Sequence, residues 1–260
     1  MSSLLKPERG DVLFISDVHL EGYTPEMNQS IEHDLIALVK YATQNQLKII
    51  VLGDLFDYWM EYRGEYPTFA DSVLDAFNLQ NKWYKTLFIT GNHDNWTGPK
   101  LIETGFDLEN ESRVIELGGK KCLLLHGDGL NDPRMNLTRP KLDRIIRSGF
   151  FLFFYQLIFP PKIGLSIMSW FSKRSKKREN DELKTSKRID AWAMEQLKKS
   201  DMDVIICGHY HVHKFISNNN GLYINLGTFF KHRTVGIYTK GSFQLVTWNA
   251  HEKNFSRLEI

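Results

Sequence analysis

The sequence is poor in cysteine, and this scarcity argues against a fold held together by disulfides. Only Cys122 and Cys207 occur among 260 residues, and both lie inside apolar, strand-like runs, which favours buried free thiols. No apolar stretch of signal-peptide length precedes the first predicted strand. We therefore expect a protein of the reducing cytoplasm.

Low-complexity segments, internal repeats and a strong net charge are also absent. With a hydrophobic fraction of 42% and a charged fraction of 25%, the composition is that of a globular protein and not of a disordered or fibrous one. A chain of 260 residues can form one large α/β domain with an insertion, so we expect a single domain over residues 1–260. The net charge of +2 is unevenly distributed, since residues 134–188 hold 14 Lys and Arg against 4 Asp and Glu.

What the sequence does contain is a series of apolar runs that each end in a carboxylate, amide or imidazole. Residues 49–52 form such a run, typical of a strand buried on both faces, and Gly53 allows the backbone to turn before Asp54. Side chains at the carboxyl ends of buried strands lie at the rim of an α/β sheet, where ligands bind. Four further runs lead into Asp17 and His19, into Asn92, His93 and Asp94, into His126, and into His209 and His211.

Strand-like and helix-like segments alternate along most of the chain, which predicts two packed sheets flanked by helices. The C-terminal part, with its Asn-Gly and Lys-Gly turn signals, is predicted to form antiparallel strands. Roughly 80 residues separate His126 from the next cluster, more than one βα unit needs, so we expect a helical insertion at about residues 131–188. The predicted helices are 27–46, 69–80 and 186–199, the predicted strands 12–16, 49–52, 86–90 and 204–207, and a hairpin is predicted at 114–117 and 121–125.

Seven of the side chains at strand ends have the mixed chemistry that transition metals prefer. Carboxylate, amide and imidazole ligands disfavour Ca²⁺ and are unusual for Mg²⁺, whereas they suit Mn²⁺, Fe²⁺ or Zn²⁺. Two such ions, about 3.5–4 Å apart, would clamp a phosphate and generate a hydroxide for in-line attack. A lone histidine after an apolar run is usually structural, so the prediction depends on the coincidence at five strand ends. The predicted ligands are Asp17, His19, Asp54, Asn92, His126, His209 and His211, with Asp54 as the bridge.

The spacing of residues within two of these motifs predicts how their side chains are oriented. Asp17 and His19, like His209 and His211, are two residues apart, which puts both members of a pair on the same side if the backbone stays extended.

His93 and Asp94 are the predicted catalytic residues beside the metal ligands. There, His93 would contact the substrate phosphate, stabilise charge in the transition state or protonate the leaving oxygen, and Asp94 would orient its ring. The alternative for His93 is a packing role.

In order and spacing, these motifs resemble the five motifs of the calcineurin-like metallophosphoesterases, over about residues 11–230. The resemblance implies a four-layer α/β/β/α sandwich that binds two divalent metal ions. It further implies one ion held by Asp17, His19, Asp54 and His211, and another held by Asp54, Asn92, His126 and His209. The matching segments are Asp17-Val18-His19, Gly53-Asp54, Gly91-Asn92-His93-Asp94, His126 and Gly208-His209-Tyr210-His211.

Residues 150–171 are strongly apolar and carry Lys162 as their only charge. Pro160-Pro161 and Lys162 divide this stretch into pieces of about ten residues, shorter than the roughly 17–25 residues of a membrane-spanning helix, so we do not expect it to span. We interpret it as a lid that grips acyl chains or dips into an anionic membrane surface, because a basic cluster follows. A buried helical hairpin is the alternative. The basic cluster is Lys173, Arg174, Lys176, Lys177 and Arg178.

Within this superfamily, the chain resembles the UDP-2,3-diacylglucosamine diphosphatases of lipid A biosynthesis in its GDLFDYW segment, its His126-Gly127-Asp128 motif and its apolar, basic insertion. That family hydrolyses a UDP-linked diacyl sugar to UMP and 2,3-diacylglucosamine 1-phosphate, usually with Mn²⁺. The resemblance implies a cytoplasmic enzyme, peripheral on the inner membrane. The implied substrate contacts are Asn92, His93, Lys187 and His209, although many members carry Arg at the position of His93 and the motif around Lys187 matches loosely.

The same residues are compatible with other functions. A phosphodiesterase or phosphatase of a soluble nucleotide would use the metal motifs but would leave the apolar insertion unexplained. A nuclease could place the basic segment on phosphates. Those basic residues adjoin an apolar run and do not alternate with stacking aromatics, so no nucleic-acid partner is expected. The intact ligand set disfavours a non-catalytic scaffold.

Overall fold

The computed structural model describes residues 5–62, 65–175 and 182–258. Its strands are β1 (Val12–Ile15), β2 (Lys48–Leu52), β3 (Leu87–Ile89), β4 (Asp107–Glu109), β5 (Ser112–Leu117), β6 (Lys120–Leu125), β7 (Val204–Cys207), β8 (Lys214–Asn218), β9 (Gly221–Asn225), β10 (Thr234–Thr239), β11 (Ser242–Asn249) and β12 (Asn254–Arg257). Its helices are α1 (Pro25–Gln44), α2 (Asp71–Asn81), α3 (Pro99–Glu103), α4 (Lys141–Ile146), α5 (Gly149–Ile158), α6 (Pro161–Ser175), α7 (Glu182–Lys199) and α8 (Phe229–His232).

The strands form two mixed sheets. One has seven strands in the order β12-β11-β10-β1-β2-β3-β4, and the other has five in the order β5-β6-β7-β9-β8. Strands β1 to β4 run parallel to one another, as do β6, β7 and β9, whereas the remaining neighbours pair antiparallel. The two-sheet architecture predicted from the alternation of elements is confirmed.

Alternation along the buried strands explains how the layers assemble. On β1, Val12 and Phe14 join a core with Leu124 and Ile206 of the other sheet, so this face lies between the sheets. Leu13 and Ile15 point the other way, into a core that includes residues of α1 and α2. A third core joins Ile205 and Leu125 to Trp192 of α7. The protein is therefore an α/β/β/α sandwich, with apolar strands buried on both faces as predicted.

Helix α1 shows how closely local signals predicted an element. Thr24 accepts a hydrogen bond from the Met27 main-chain nitrogen at 3.4 Å, and Pro25 occupies the first turn, so the helix begins two residues before the predicted start. The Gly118-Gly119 hairpin is confirmed too, with φ of +57° and +77°, as a primed turn requires. Helix α3 and strand β4 were not predicted, because five and three residues are too short to show a period.

Between β6 and β7 the chain forms α4, α5 and α6, here called the insertion helices, and then α7. The prolines at 160 and 161 separate α5 from α6, as the sequence predicted. Tyr155 of α5 packs in a cluster with Met60, Tyr62 and Trp96. Within the described ranges, no helix combines the length and apolar character that crossing a bilayer requires.

Hydrogen bonds also attach the insertion helices to the sandwich. The Trp96 indole donates to the main-chain oxygen of Ile146 at 2.8 Å, and the Gln156 amide donates to the main-chain oxygen of Glu61 at 2.7 Å. The hydroxyl of Tyr62 donates to the main-chain oxygen of Phe159. These bonds hold the end of α4 and the last turn of α5 against the sandwich.

Candidate metal centre

The packing of the two sheets brings all seven predicted ligands to one edge of the sandwich. Asp17, His19, Asp54 and Asn92 follow strands of the seven-stranded sheet, whereas His126, His209 and His211 follow strands of the five-stranded sheet. Any cation bound among them would therefore contact both sheets.

The first cluster consists of Asp17, His19 and His211. The Asp17 Oδ1 atom lies 3.4 Å from His211 Nε2 and 3.9 Å from His19 Nε2, and the two Nε2 atoms are 3.3 Å apart. This Oδ1 atom is buried and has no hydrogen-bond partner in the described part of the chain. A divalent cation between these three atoms would satisfy the carboxylate, so the residues fit a metal ion.

The second cluster consists of Asp54, His126 and His209. The Asp54 Oδ2 atom lies 3.3 Å from His126 Nε2, which in turn is 3.1 Å from the amide oxygen of Asn92. The same Oδ2 atom lies 3.7 Å from His19 Nε2 in the first cluster. One buried carboxylate thus faces both clusters, which is the position that a bridging ligand would occupy.

Hydrogen bonds behind the ligands hold them in place and connect the sheets. The His126 Nδ1 atom donates to the main-chain oxygen of Leu52 at 2.8 Å, which leaves Nε2 to bind a cation. The main-chain nitrogen of His209 donates to Asp17 Oδ2 at 2.9 Å. Gly208 donates to the main-chain oxygen of His126 at 2.9 Å. These hydrogen bonds therefore connect the segments after β1, β6 and β7, and the end of β2, to one another.

The backbone at the site is in an uncommon conformation. Gly53 has a φ of +83°, and a side chain there would overlap the ring of His126. The expectation of an extended backbone within the two spaced pairs is wrong, because all four residues have left-handed φ values and converge through tight turns. Such strain outside glycine is rare and tends to occur at functional sites. The left-handed ligands are Asp17 (φ 52°), His19 (49°), Asp54 (53°), His209 (73°) and His211 (55°).

The charges in the site perturb one another strongly. Burial opposes ionisation of Asp54, but the neighbouring His126 and His93 outweigh it and hold the pKa of this carboxyl well below its usual range. Burial also disfavours the charged form of His126, yet Asp54 and Asp17 raise its pKa to about 10. Burial, followed by the charge of His126, lowers the pKa of His209 to about 4. Without a cation, His126 is therefore the protonated histidine of the second cluster.

The predicted catalytic residues His93 and Asp94 have different surroundings. His93 Nδ1 lies 2.7 Å from the main-chain oxygen of Asp57, and its ring lies edge-on to that of His19 with centroids 4.9 Å apart. The carboxylate of Asp94 accepts hydrogen bonds from the main-chain nitrogens of Gly91 and Leu55, both at 2.7 Å. Asp94 thus joins the loops after β2 and β3, and burial, then the charge of Asp54, raises its pKa to about 6.

Sequence reasoning missed Asp57, whereas it placed Lys187 at the start of the predicted helix 186–199. Asp57 is fully buried, and its Oδ1 atom lies 3.5 Å from His19 Nδ1. The only signal for it was a second aspartate three residues after Asp54 in the GDLFDYW segment. Lys187 is exposed on α7, and its contact with a substrate stays a prediction.

Curated relatives resemble this chain over most of its length. A UDP-2,3-diacylglucosamine hydrolase from Photobacterium profundum is 28% identical over 254 residues, which cover 93% of this chain and 98% of the relative. The protein of the same name from Blochmanniella pennsylvanica is 29% identical over 220 residues, 82% of this chain and 84% of its own length. Among solved structures, a phosphoesterase from E. coli is 13% identical, with coverage of 94% and 96% and a TM-score of 0.46.

The family model for calcineurin-like phosphoesterases matches residues 10–213, which contain all seven candidate ligands. This range is more than three quarters of the chain, and the clusters at the sheet edge have the residue types for divalent cations. The chain therefore belongs to the calcineurin-like phosphoesterases and is a metal-dependent hydrolase.

Proposed function

We propose that this enzyme hydrolyses the pyrophosphate of UDP-2,3-diacylglucosamine to UMP and 2,3-diacylglucosamine 1-phosphate, the reaction that the names of its curated relatives suggest. The observation that carries the proposal is a partly apolar groove of about 380 Å³ between helix α6 and the loop that follows Asp54. Tyr58, four residues after Asp54, lines it from the loop after β2. Helix α6 supplies the other wall, with Leu165, Ser166, Ser169 and Trp170. A diacyl sugar phosphate needs both an apolar groove and a site for phosphate.

The seven candidate ligands would hold two divalent ions, Mn²⁺ in the first instance and Fe²⁺ or Zn²⁺ as alternatives. Bound there, the ions would neutralise phosphoryl oxygens and supply the nucleophile for hydrolysis. Asn92 and His209, at the second cluster, would lie next to the pyrophosphate. His93 donates from Nδ1 to a main-chain oxygen, which orients its ring, and its imidazole would stabilise charge on the transferred phosphorus or protonate the leaving oxygen.

The outer face of the insertion helices supports a peripheral location on the anionic, cytoplasmic surface of the inner membrane. Phe150 is 74% exposed and Ile158 is 66% exposed on α5, and Leu142 is 65% exposed on the neighbouring α4. Lys141 and Arg144 of α4 are exposed beside them. Exposed aromatic and aliphatic side chains next to basic ones suit a lipid surface. Of the predicted basic cluster, Lys176, Lys177 and Arg178 lie outside the described residues.

The proposal is tested by hydrolysis of UDP-2,3-diacylglucosamine with Mn²⁺ in ¹⁸O-labelled water. Attack on the phosphorus attached to uridine places the label in UMP, whereas attack on the other phosphorus places it in the lipid phosphate. We expect the label in UMP, and label in the lipid product would overturn the proposed direction of attack. Turnover of soluble nucleotide diesters without turnover of the lipid substrate would instead support a soluble-nucleotide phosphodiesterase.

A further inference from the structure

Two aromatic side chains, Tyr23 and Phe230, border the first cluster of candidate ligands and are here called the aromatic pair. Their rings stack with centroids 4.7 Å apart and planes inclined by 28°. Phe230 also makes T-shaped contacts with two candidate ligands, at 5.4 Å between centroids for His211 and 5.8 Å for His19. Both residues of the pair are only partly buried, so aromatic surface is accessible beside the cation site.

The backbone of the short helix α8 fixes the position of Phe230. Its main-chain nitrogen donates to the main-chain oxygen of Asp17 at 3.3 Å, and its main-chain oxygen accepts from the guanidinium of Arg233. Arg233 also donates to the carboxylate of Asp34 on α1 at 2.6 Å. The preceding Phe229 is fully buried in the core and anchors α8, which leaves Phe230 at the edge of the site.

The backbone of Tyr23 is held by a side chain of α1. The main-chain nitrogen of Tyr23 donates to Asn28 Oδ1 at 3.0 Å, and the Asn28 amide donates back to the main-chain oxygen of Tyr23 at 3.1 Å. Asn28 is buried, so water competes little for these two hydrogen bonds. Both residues of the aromatic pair are therefore held in place before a ligand arrives, which lowers the entropic cost of binding against them.

The proposed direction of attack determines which half of the substrate lies near the aromatic pair. In that reaction the phosphorus attached to uridine lies at the cations, so only one ribose separates the cations from the uracil base. The acyl chains lie farther away, beyond a second phosphate and a sugar ring, and are proposed to occupy the groove between Tyr58 and α6. A surface that contacts His19 and His211 is thus within reach of the base.

A flat aromatic base is the group that this surface fits best. Bases stack on aromatic side chains in an offset, near-parallel arrangement, and a third ring can extend a stack that two rings already form. At the second cluster, the ring of Tyr210 is inclined by 70° to that of His209 and packs on the core that includes α7. The stacked pair at the first cluster is therefore the better platform for a base.

We propose that Tyr23 and Phe230 form the subsite for the uracil base of the UDP group and thereby determine the preference for a nucleotide-linked lipid. The inference rests on the proposed function, in which UMP is one of the two products. It predicts that the aromatic pair contributes to binding of the nucleoside and not to binding of the acyl chains.

The test compares two probes, UMP and ribose 5-phosphate, of which only UMP carries a base. Calorimetry on the full, Mn²⁺-loaded chain gives both dissociation constants, and their ratio isolates the contribution of the base. The variants are Tyr23→Leu and Phe230→Leu, with Tyr23→Phe as the change that keeps the ring. Tyr84→Leu is the matched control, because Tyr84 is also partly buried but lies 5.5 Å from Lys48 Nζ, at the start of β2.

We expect the wild-type protein to bind UMP about 10-fold or more tightly than ribose 5-phosphate. This ratio should fall about fivefold or more in each leucine variant and stay unchanged in Tyr23→Phe and Tyr84→Leu. In the Zn²⁺-loaded protein, the uracil protons of bound UMP should shift upfield because of the ring currents of the pair, and this shift should shrink in both leucine variants.

Metal content is measured for every variant, because Phe230 contacts two candidate ligands. Tyr23→Leu keeps Phe230 against those ligands, so it remains informative if Phe230→Leu loses metal.

Equal affinity of the wild-type protein for the two probes would overturn the inference, and so would an unchanged ratio in Tyr23→Leu. Weaker binding of 2,3-diacylglucosamine 1-phosphate at an unchanged ratio would assign the aromatic pair to the acyl chains instead. A ratio that falls only in Tyr210→Leu would place the base at the second cluster. Failure of the wild-type protein to hydrolyse UDP-2,3-diacylglucosamine is a separate result, because it refutes the proposed substrate and leaves the preference for UMP readable.

Discussion

The Oδ2 atom of Asp54 lies 3.3 Å from Nε2 of His126, across the boundary between the two sheets. Asp54 follows β2 of the seven-stranded sheet and His126 follows β6 of the five-stranded sheet. Both side chains are buried almost completely. A carboxylate and an imidazole from different sheets can face one cation only when the packing of the sheets places the ends of β2 and β6 side by side.

Substitution of Asp54 should remove both cations together. Asp54→Ala deletes the one carboxylate that faces both clusters, so we expect Mn²⁺ content and turnover to fall in parallel, turnover by more than about 100-fold. Metal analysis and steady-state kinetics on the same sample measure this. Asp201→Ala, which removes an exposed carboxylate paired with Lys121 at the opposite end of β6, is the control. Full metal content in Asp54→Ala would contradict the bridge.

Cation binding should release a proton from His126. Burial disfavours its charged form, but Asp54 and Asp17 outweigh burial and raise the pKa to about 10, so at pH 7 the cation-free protein holds this proton. A cation at Nε2 must displace it, and affinity should therefore rise with pH. Calorimetry in two buffers of different ionisation enthalpy should show about one proton released at pH 7. Binding without proton release would show that His126 is not a ligand.

The buried arginines beside Asp128 should stabilise the fold at neutral pH and lose this effect in acid. Asp128 accepts from Arg139 Nε at 3.1 Å and from Arg147 Nη2 at 2.7 Å. Burial raises the pKa of Asp128, but Arg147, with His126 and Arg139, outweighs it, so the folded pKa lies below the unfolded value. This stabilisation is present above the unfolded pKa, about 4, and is lost as pH falls through the folded one.

Arg147→Gln should consequently lower the free energy of unfolding at pH 7 by about 3 kcal/mol, because it breaks a buried pair. The loss should shrink as the pH falls below about 4, because protonation of Asp128 removes the charge that Arg147 stabilises. Denaturant unfolding at both pH values measures it. Arg134→Gln removes an exposed ion pair with Asp132 in the same segment and should leave the midpoint unchanged. An equal loss at the two pH values would contradict the electrostatic explanation.

Membrane association should depend on the exposed face of α5. Phe150→Ser and Phe153→Ser remove side chains that are 74% and 61% exposed, so folding should be unaffected while binding to anionic vesicles weakens about tenfold for each. Vesicle co-sedimentation at low and high salt measures this. Trp83→Ser, a change of a 60% exposed aromatic outside the insertion, is the control. Equal binding of all three variants would place the lipid contact elsewhere.

His93→Ala should lower turnover far more than substrate affinity. An interaction made mainly in the transition state appears in the chemical step, so we expect kcat to fall by about 10²–10⁴-fold with a small change in KM. Steady-state kinetics with the diacyl substrate measure both. His33→Ala, which changes an exposed histidine of α1, should have no effect. A rise in KM at unchanged kcat would assign His93 to ground-state binding.

Local sequence patterns were sufficient for the framework of this protein. Apolar runs such as that of β2 predicted buried strands, and the residue that ends each run predicted which side chains meet at the sheet edge. The Gly-Gly turn predicted the β5–β6 hairpin, and the prolines at 160 and 161 predicted the break between α5 and α6. These features depend on residues close together in sequence, so periodicity and turn chemistry are enough to predict them.

Contacts between distant segments were decided only by the tertiary structure. Asp94 was expected to orient His93, but its oxygens accept from Gly91 and Leu55, because the loops after β2 and β3 approach each other there. Asp57 contacts His19, 38 positions away, through a carboxylate that no periodic pattern marked. The sequence by itself determined which side chains stand at strand ends; the packing of one sheet on the other decided which atoms of those side chains face each other, because that depends on the relative position of strands far apart in the chain.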